Sequence, residues 1–223
     1  MPALSSSHGP AGHQQRRAAK TRAAILEAAG EIFAGVGLAG ARTDAIASAA
    51  GVNKALLYYY FKNKDALYCA VVEAQSKEFH RQLMSVLEAK GSPRSLLLRY
   101  VNMHFDFISR RRRFAPLFQQ MMMMGGKSLE LLARKYFQPR AHAVSNLIER
   151  GIKEGEFRAV DSGQTTFSIV ALIAFYFSCE PVMRLLGHAD AYSPANLRRR
   201  KQEVLDFIRY GLFLDPEASR HET

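Results

Sequence analysis

Between Arg16 and Val36 the apolar residues Ile25, Leu26, Ala29, Ile32, Phe33 and Val36 recur at one-, three- and four-residue steps, the stripe of an amphipathic helix. Gly35 and Gly37 predict its end, because glycine adopts the left-handed conformation that closes a helix. A second helix is expected from Thr43, whose hydroxyl suits a cap and whose neighbour Asp44 suits the first turn; Ile46, Ala47 and Ala50 form its inner face. Gly51-Val52 interrupts it after about two turns, and Asn53 can cap a third helix carrying Lys54 to Phe61. Asn63 and Asp65 restart the chain as a long helix with Leu67, Val71, Val72, Phe79, Leu83, Val86 and Leu87 as apolar positions. Gly91-Ser92-Pro93 ends it and opens another through Leu97, Tyr100, Val101, His104, Phe105 and Ile108.

Helical patterns continue to the end. Phe114 to Met124 is cut by Gly125-Gly126, and Ser128 to about Lys153 is a longer helix in which Pro139 marks a kink or break. Asp161 caps an apolar helix reaching Cys179, and Ser193-Pro194 opens a last one with Leu197, Val204, Leu205, Ile208 and Leu212 as its stripe. About nine helices and no convincing strand make the fold all-α.

The third helix carries the most informative face. Leu57, Tyr60 and Phe61 share its inner side, while Lys54 with Tyr58, and Ala55 with Tyr59, pair at four-residue spacing opposite. Three consecutive tyrosines sweep about 200° of a helix, so at least one must face outward. This outer face presents a cation, phenolic hydroxyls and aromatic edges with no acid, which suits phosphate oxygens and base edges in a major groove. Lys62 and Lys64 follow the helix, and Arg42 with Arg16, Arg17, Lys20 and Arg22 lie where they could also reach a phosphate.

Charge sharpens this. The chain has 223 residues with 31 Lys and Arg against 20 Asp and Glu, a formal charge of +11, which favours a polyanionic partner: nucleic acid or an anionic membrane surface. Residues 1–68 hold only eight of the basic and four of the acidic residues, so most of the excess lies beyond them, including the runs Arg110 to Arg113 and Arg198 to Lys201. Cys69 and Cys179 form no CxxC or Cys/His cluster, which speaks against a disulfide scaffold or zinc ribbon and for a reducing compartment. Residues 1–15, rich in Ser, Gly, His and Pro, read as a mobile tail without a secretory signal. The uncharged stretch Ser162 to Cys179 is too short in its apolar part to cross a bilayer, so the chain is expected to be soluble and cytoplasmic.

Other motifs carry little. Gly35-Val36-Gly37-Leu38-Ala39-Gly40 matches GxGxxG, but a helix precedes it and no βαβ pattern follows, so it is a helix stop and loop rather than a nucleotide site. There is no HExxH, no GxSxG and no Glu-x-x-His pair; His104-x-Asp106 and His188-x-Asp190 are isolated. An enzymatic role is not expected, and no cofactor or metal is implied.

Thr43-(x)2-Ile46-Ala47-(x)2-Ala50-Gly51-Val52-(x)5-Tyr58-x-Tyr60-Phe61-(x)2-Lys64-Asp65-x-Leu67, preceded by Phe33 and Gly37, closely resembles the DNA-binding domain of TetR-type transcriptional regulators over about Thr21 to Phe79. It departs from the common pattern at Asn53, often Ser or Thr, at Ala55, often Gly, and at Asp65, often Glu. The resemblance implies a three-helix helix-turn-helix domain over 16–68, with a recognition helix at about 53–61, and a larger helical effector-binding and dimerisation domain over 69–223. Carried over by position, Thr43, Asn53, Lys54, Ala55, Tyr58, Tyr59, Tyr60 and Lys64, with Arg42 beside them, would lie at double-stranded operator DNA.

The same resemblance implies a homodimer paired through about 162–180 and 194–213. It also implies an effector pocket in the region of Met103, His104, Phe107, Phe118, Met121, Met122, Tyr136 and Phe175, whose soft and aromatic side chains suit a hydrophobic or anionic small molecule. The protein is therefore expected to be a ligand-responsive repressor on a near-palindromic operator. The alternatives are a basic helical protein on anionic membranes or a metal-dependent helical enzyme.

Overall fold

A computed structural model describes residues 10–187 and 190–215. The tail expected at residues 1–9, and His188 of the His188-x-Asp190 pair, lie outside the described residues. Among those described, the structure is helical without a strand; the only pairing of extended backbone is an isolated antiparallel bridge between Phe157 and Phe213. The chain divides into two compact units, residues 1–72 and 73–223, with the division falling inside one helix.

The first unit contains α1 (Pro10–Gly40), α2 (Thr43–Ala49), α3 (Lys54–Tyr60) and the start of α4 (Lys64–Leu87). Residues 10–15, read from sequence as tail, are helical. Residues 12–40 are long and apolar enough to cross a membrane by length and composition alone. In this unit, however, Ile25, Ala29 and Phe33 are fully buried, with the Phe33 ring edge-on to Tyr68 at 5.1 Å, so the apolar stripe serves as core. The stripe is narrower than expected: Val36 is exposed. The break at Gly37 has a φ of +71°, after which the chain makes a last helical turn to Gly40 rather than a loop.

The second unit is built around α5 (Pro93–Ser109), whose Leu97, Val101, Phe105 and Ile108 are buried at helical spacing. Packed with it are α8 (Gln138–Lys153), α9 (Ser162–Ser178) and α11 (Pro194–Leu212). The short α6 (Phe114–Met124), α7 (Gly126–Leu132) and α10 (Glu180–Leu185) complete it. Ser92, Asp161 and Ser193 each accept a backbone N–H three residues on, so the predicted starts of α5, α9 and α11 are real caps. Where sequence predicts one helix from Ser128 to Lys153, α7 and α8 flank a π-helical turn, Ala133–Phe137, in which the Gln138 N–H reaches back to Ala133. Pro139 explains it, since its ring crowds the carbonyl four residues earlier and it has no N–H for the ladder.

On α9 the residues Ile169, Ile173 and Phe177 are buried, whereas Phe167 and Phe175 on the opposite face are each 68% exposed. The helix is apolar on both faces, but only one of them is covered within its own unit.

Candidate nucleic-acid interface

Local physics holds α3 in place. The Ala50 and Gly51 N–H groups bond back to Ile46 and Ser48, and a φ of +66° at Gly51 lets the Val52 N–H reach the Ala47 carbonyl at 3.0 Å. Asn53 then caps α3, its Oδ1 accepting the Leu56 N–H at 2.7 Å. Leu57 and Phe61 are buried and Tyr60 is half-buried, as the inner face requires; Arg22 of α1 lies over the Phe61 ring at 5.2 Å. The outer residues Lys54, Ala55, Tyr58 and Tyr59 are exposed, Tyr58 by 41% and Tyr59 by 80%. Two of the three tyrosines thus face water, with the Tyr59 ring edge-on to Tyr60 at 5.4 Å.

Three side chains do something sequence reasoning did not anticipate. Thr43 is not the cap of α2: Arg42 occupies that position without a side-chain bond, and the Thr43 hydroxyl lies 3.3 Å from the Tyr58 hydroxyl, tying α2 to α3. Asp44 reaches across to Lys54 at 2.8 Å, so the outer face, acid-free along α3 itself, receives a carboxylate from α2. This pairing lowers the Asp44 pKa and raises that of Lys54, in both cases chiefly through their mutual hydrogen bond. Lys64 donates to the Ala39 and Ala41 carbonyls at 3.2 and 3.1 Å, bracing the end of α1 against the start of α4. Arg42 is exposed and Thr43 half-buried beside it. Asp44 was legible in the sequence only as a charge in a helix's first turn, because its partner lies on another helix.

Of the effector-pocket residues expected in the second unit, His104 and Phe107 are buried and meet through Phe79, whose ring is 4.7 and 5.0 Å from theirs. Phe118 packs on Phe114 and Phe137, and the buried Tyr136 places its hydroxyl 3.3 Å from Glu73. Met121 is buried and Met122 exposed; Met103 lines a groove of about 530 Å³ with Phe107, Arg110 and Arg111. Phe175 is 68% exposed on α9, on the face away from the buried Ile169, Ile173 and Phe177.

The basic runs are largely engaged inside the unit. Arg110 faces Asp106, Arg112 faces Asp190 and lies over Tyr192, and Arg111 lies 4.0 Å from the Phe107 ring centre. Arg200 donates to the Leu172 carbonyl and Lys201 pairs with Asp106 at 2.8 Å. Among the described residues no group of three His, Cys, Asp or Glu side chains is placed to hold a metal ion.

Residues 25–71 match the family described as "Bacterial regulatory proteins, tetR family", and residues 93–208 match "Tetracyclin repressor-like, C-terminal domain". The chain belongs to the tetR family. It is 27% identical over 201 residues to the HTH-type transcriptional regulator RutR of Escherichia coli, covering 90% of this chain and 94% of that one. It is also 27% identical over 173 residues to the HTH-type transcriptional repressor NicS of Pseudomonas putida, covering 75% and 80%. Among solved structures, AibR in complex with isovaleryl coenzyme A and operator DNA superimposes with a TM-score of 0.71 at 16% identity, over 84% of this chain and 97% of that one. As a tetR-family member this chain is a DNA-binding transcriptional regulator, not an enzyme.

Proposed function

We propose that this regulator is a ligand-responsive repressor acting in the cytoplasm as a homodimer on a near-palindromic operator. One observation carries the reading: the caps and buried anchors of α3 hold an exposed row of Lys54, Ala55, Tyr58 and Tyr59 rigidly on one side. A helix presented this way enters a major groove, with hydroxyls and cations reaching phosphates and edges reading bases. Arg42, Thr43, Asn53, Tyr60 and Lys64 surround that row and complete the contact set. Lys54 meets DNA already paired with Asp44, so its phosphate contact must compete with a carboxylate.

Dimerisation is supported by the uncovered apolar face of α9, Phe167 and Phe175, and by exposed Phe207 and Tyr210 on α11, which lie in the segments 162–180 and 194–213. A dimer sets two α3 helices about one DNA turn apart, so the operator is an inverted repeat. An effector in the α5–α8 region acts by binding one conformation better than another, changing the half-site spacing that fits DNA. The engagement of Arg110, Arg112 and Lys201 with carboxylates favours DNA over a membrane surface as the polyanion.

Selection from random duplex DNA with purified protein tests this. An inverted repeat should be enriched, bound at two protomers per duplex, and Tyr59→Ala should abolish the enrichment. Phe175→Glu should give a monomer in sedimentation with loss of operator binding. Enrichment of no sequence above background, or recovery of a single unrepeated half-site by a monomer, would overturn the reading.

A further inference from the structure

Arg140, on the first turn of α8, is a half-buried cation without a counter-ion among the described residues. Its Nε donates to the Tyr136 carbonyl at 2.8 Å, and its guanidinium carbon lies 4.9 Å from the centre of the Phe79 ring and 4.7 Å from that of Phe137. Among the described residues it makes no ion pair and no further hydrogen bond, so its terminal nitrogens find no protein acceptor. Neighbouring cations differ: Lys135 is held by Glu73 at 2.6 Å and Arg81 by Glu78 at 2.7 Å. Unlike the enclosed Nδ1 of His80, those terminal nitrogens remain in reach of solvent, so an acceptor from solution can take the place of water on them.

The surroundings report the uncompensated field. Burial, helped by the Arg140 charge, holds the His80 and His104 imidazoles below their ordinary range, so both stand neutral beside it. His104 is buried with Nδ1 3.1 Å from the Tyr100 hydroxyl, while the enclosed Nδ1 of His80 has no partner. His80 also lines a solvent-open groove of about 690 Å³ along α4, with Lys77, Glu78, Arg81, Met84 and Glu88. Burial brings the Arg140 pKa down to about 10, which still leaves it charged at neutral pH.

We propose that Arg140 is the anion receptor of the effector site, taking the carboxylate of a small apolar monocarboxylic acid on its two terminal nitrogens. This rests on the effector-responsive reading above. A planar guanidinium fork matches a carboxylate with two parallel hydrogen bonds. One unpaired cation neutralises one negative charge, which favours a carboxylate over a phosphate dianion. The half-buried rings of Phe137 and Phe118, 5.1 Å apart beside the guanidinium, supply apolar surface for the rest of the ligand.

Calorimetric titration of the full chain with acetate, hexanoate, octanoate, benzoate and phenylacetate, each beside its methyl ester, and with inorganic phosphate, tests the assignment. At least one of the larger acids should bind saturably while its ester and phosphate do not. Arg140→Met should weaken that acid by roughly 10- to 100-fold, the range for a lost hydrogen bond to a charged group, and Arg140→Lys by less. Should Arg140→Met fail to fold by circular dichroism, the acid–ester contrast in the wild type and the Arg140→Lys titration still decide. Equal binding of acid and ester, equal binding by wild type and Arg140→Met, preference for phosphate, or no binding of any acid overturns the proposal. Operator affinity measured in the same samples separates the two readings. An acid that binds without changing operator affinity removes the effector response and leaves the receptor; operator release by a neutral compound with no acid bound does the reverse.

Discussion

Lys64→Met separates two roles that one ammonium can play. Methionine keeps an unbranched stem of similar length, so the change removes the charge and its donors while leaving the packing of the methylenes. In the free protein two of the three ammonium donors go to the Ala39 and Ala41 carbonyls at 3.2 and 3.1 Å, beyond the helix break at Gly37. A hydrogen bond to a charged group contributes about 1.5–3 kcal/mol when well enclosed. Lys64 is only half-buried, and the freed carbonyls can recover water, so we expect a loss of about 1–2 kcal/mol for the pair. For a chain of this size that corresponds to a fall of about 2–8 °C in melting temperature by circular dichroism. The same variant titrated against operator at several salt concentrations reads the remaining donor: contact with a phosphate predicts a slope smaller by about 1. An unchanged melting temperature would refute the bracing role, and if the slope also fell by about 1 the ammonium would belong to the DNA alone.

Tyr58→Phe should lower operator affinity about fivefold, corresponding to about 1 kcal/mol, with little change in melting temperature; unaltered binding would leave its hydroxyl as a partner of Thr43 only. Gly151→Ala should destabilise the second unit, because a Cβ there would come within 2.8 Å of the Phe157 Cγ, and that ring is stacked on Phe213 at 5.1 Å. Overpacking of about 1–3 kcal/mol outweighs the ~1 kcal/mol helix gain of alanine over glycine, so a raised melting temperature would contradict the packing described. His104, held at about 3 by burial, takes up a proton in the unfolded chain near its ordinary 6.5. Its contribution is complete above that pH and lost as pH falls towards 3, by at most ~1.4 kcal/mol per pH unit. His80 is shifted in the same direction, and Glu78, held at about 2 by Arg81, matters only below its ordinary 4.5. His104→Gln should therefore flatten the loss of melting temperature between pH 6.5 and 4.5, and an unaltered slope would place the acid sensitivity elsewhere.

What could be read from the sequence is what depends on neighbours along the chain. Helix starts at Asn53, Ser92, Asp161 and Ser193 are set by a side chain meeting an amide three residues on, and the face of α3 is set by a turn of 3.6 residues. The all-α class, the turn at Gly51 and the outward Lys54, Ala55, Tyr58 and Tyr59 follow from those local rules, and residue order around them matches the family. The contacts that decide what these residues do are not local. Whether Thr43 caps a helix or meets Tyr58, whether Lys54 stands alone or with Asp44, and whether Lys64 points to DNA or to the end of α1 depend on how helices approach in space. The same holds for α9, whose composition is apolar on both faces, while only packing selects Ile169, Ile173 and Phe177 for the core and leaves Phe167 and Phe175 uncovered. Arg140 is the clearest case. Along the chain it is one of 31 basic residues, and only the packing that sets its guanidinium against Phe79 and Phe137, with no ion pair to it among the described residues, distinguishes it from a freely solvated charge.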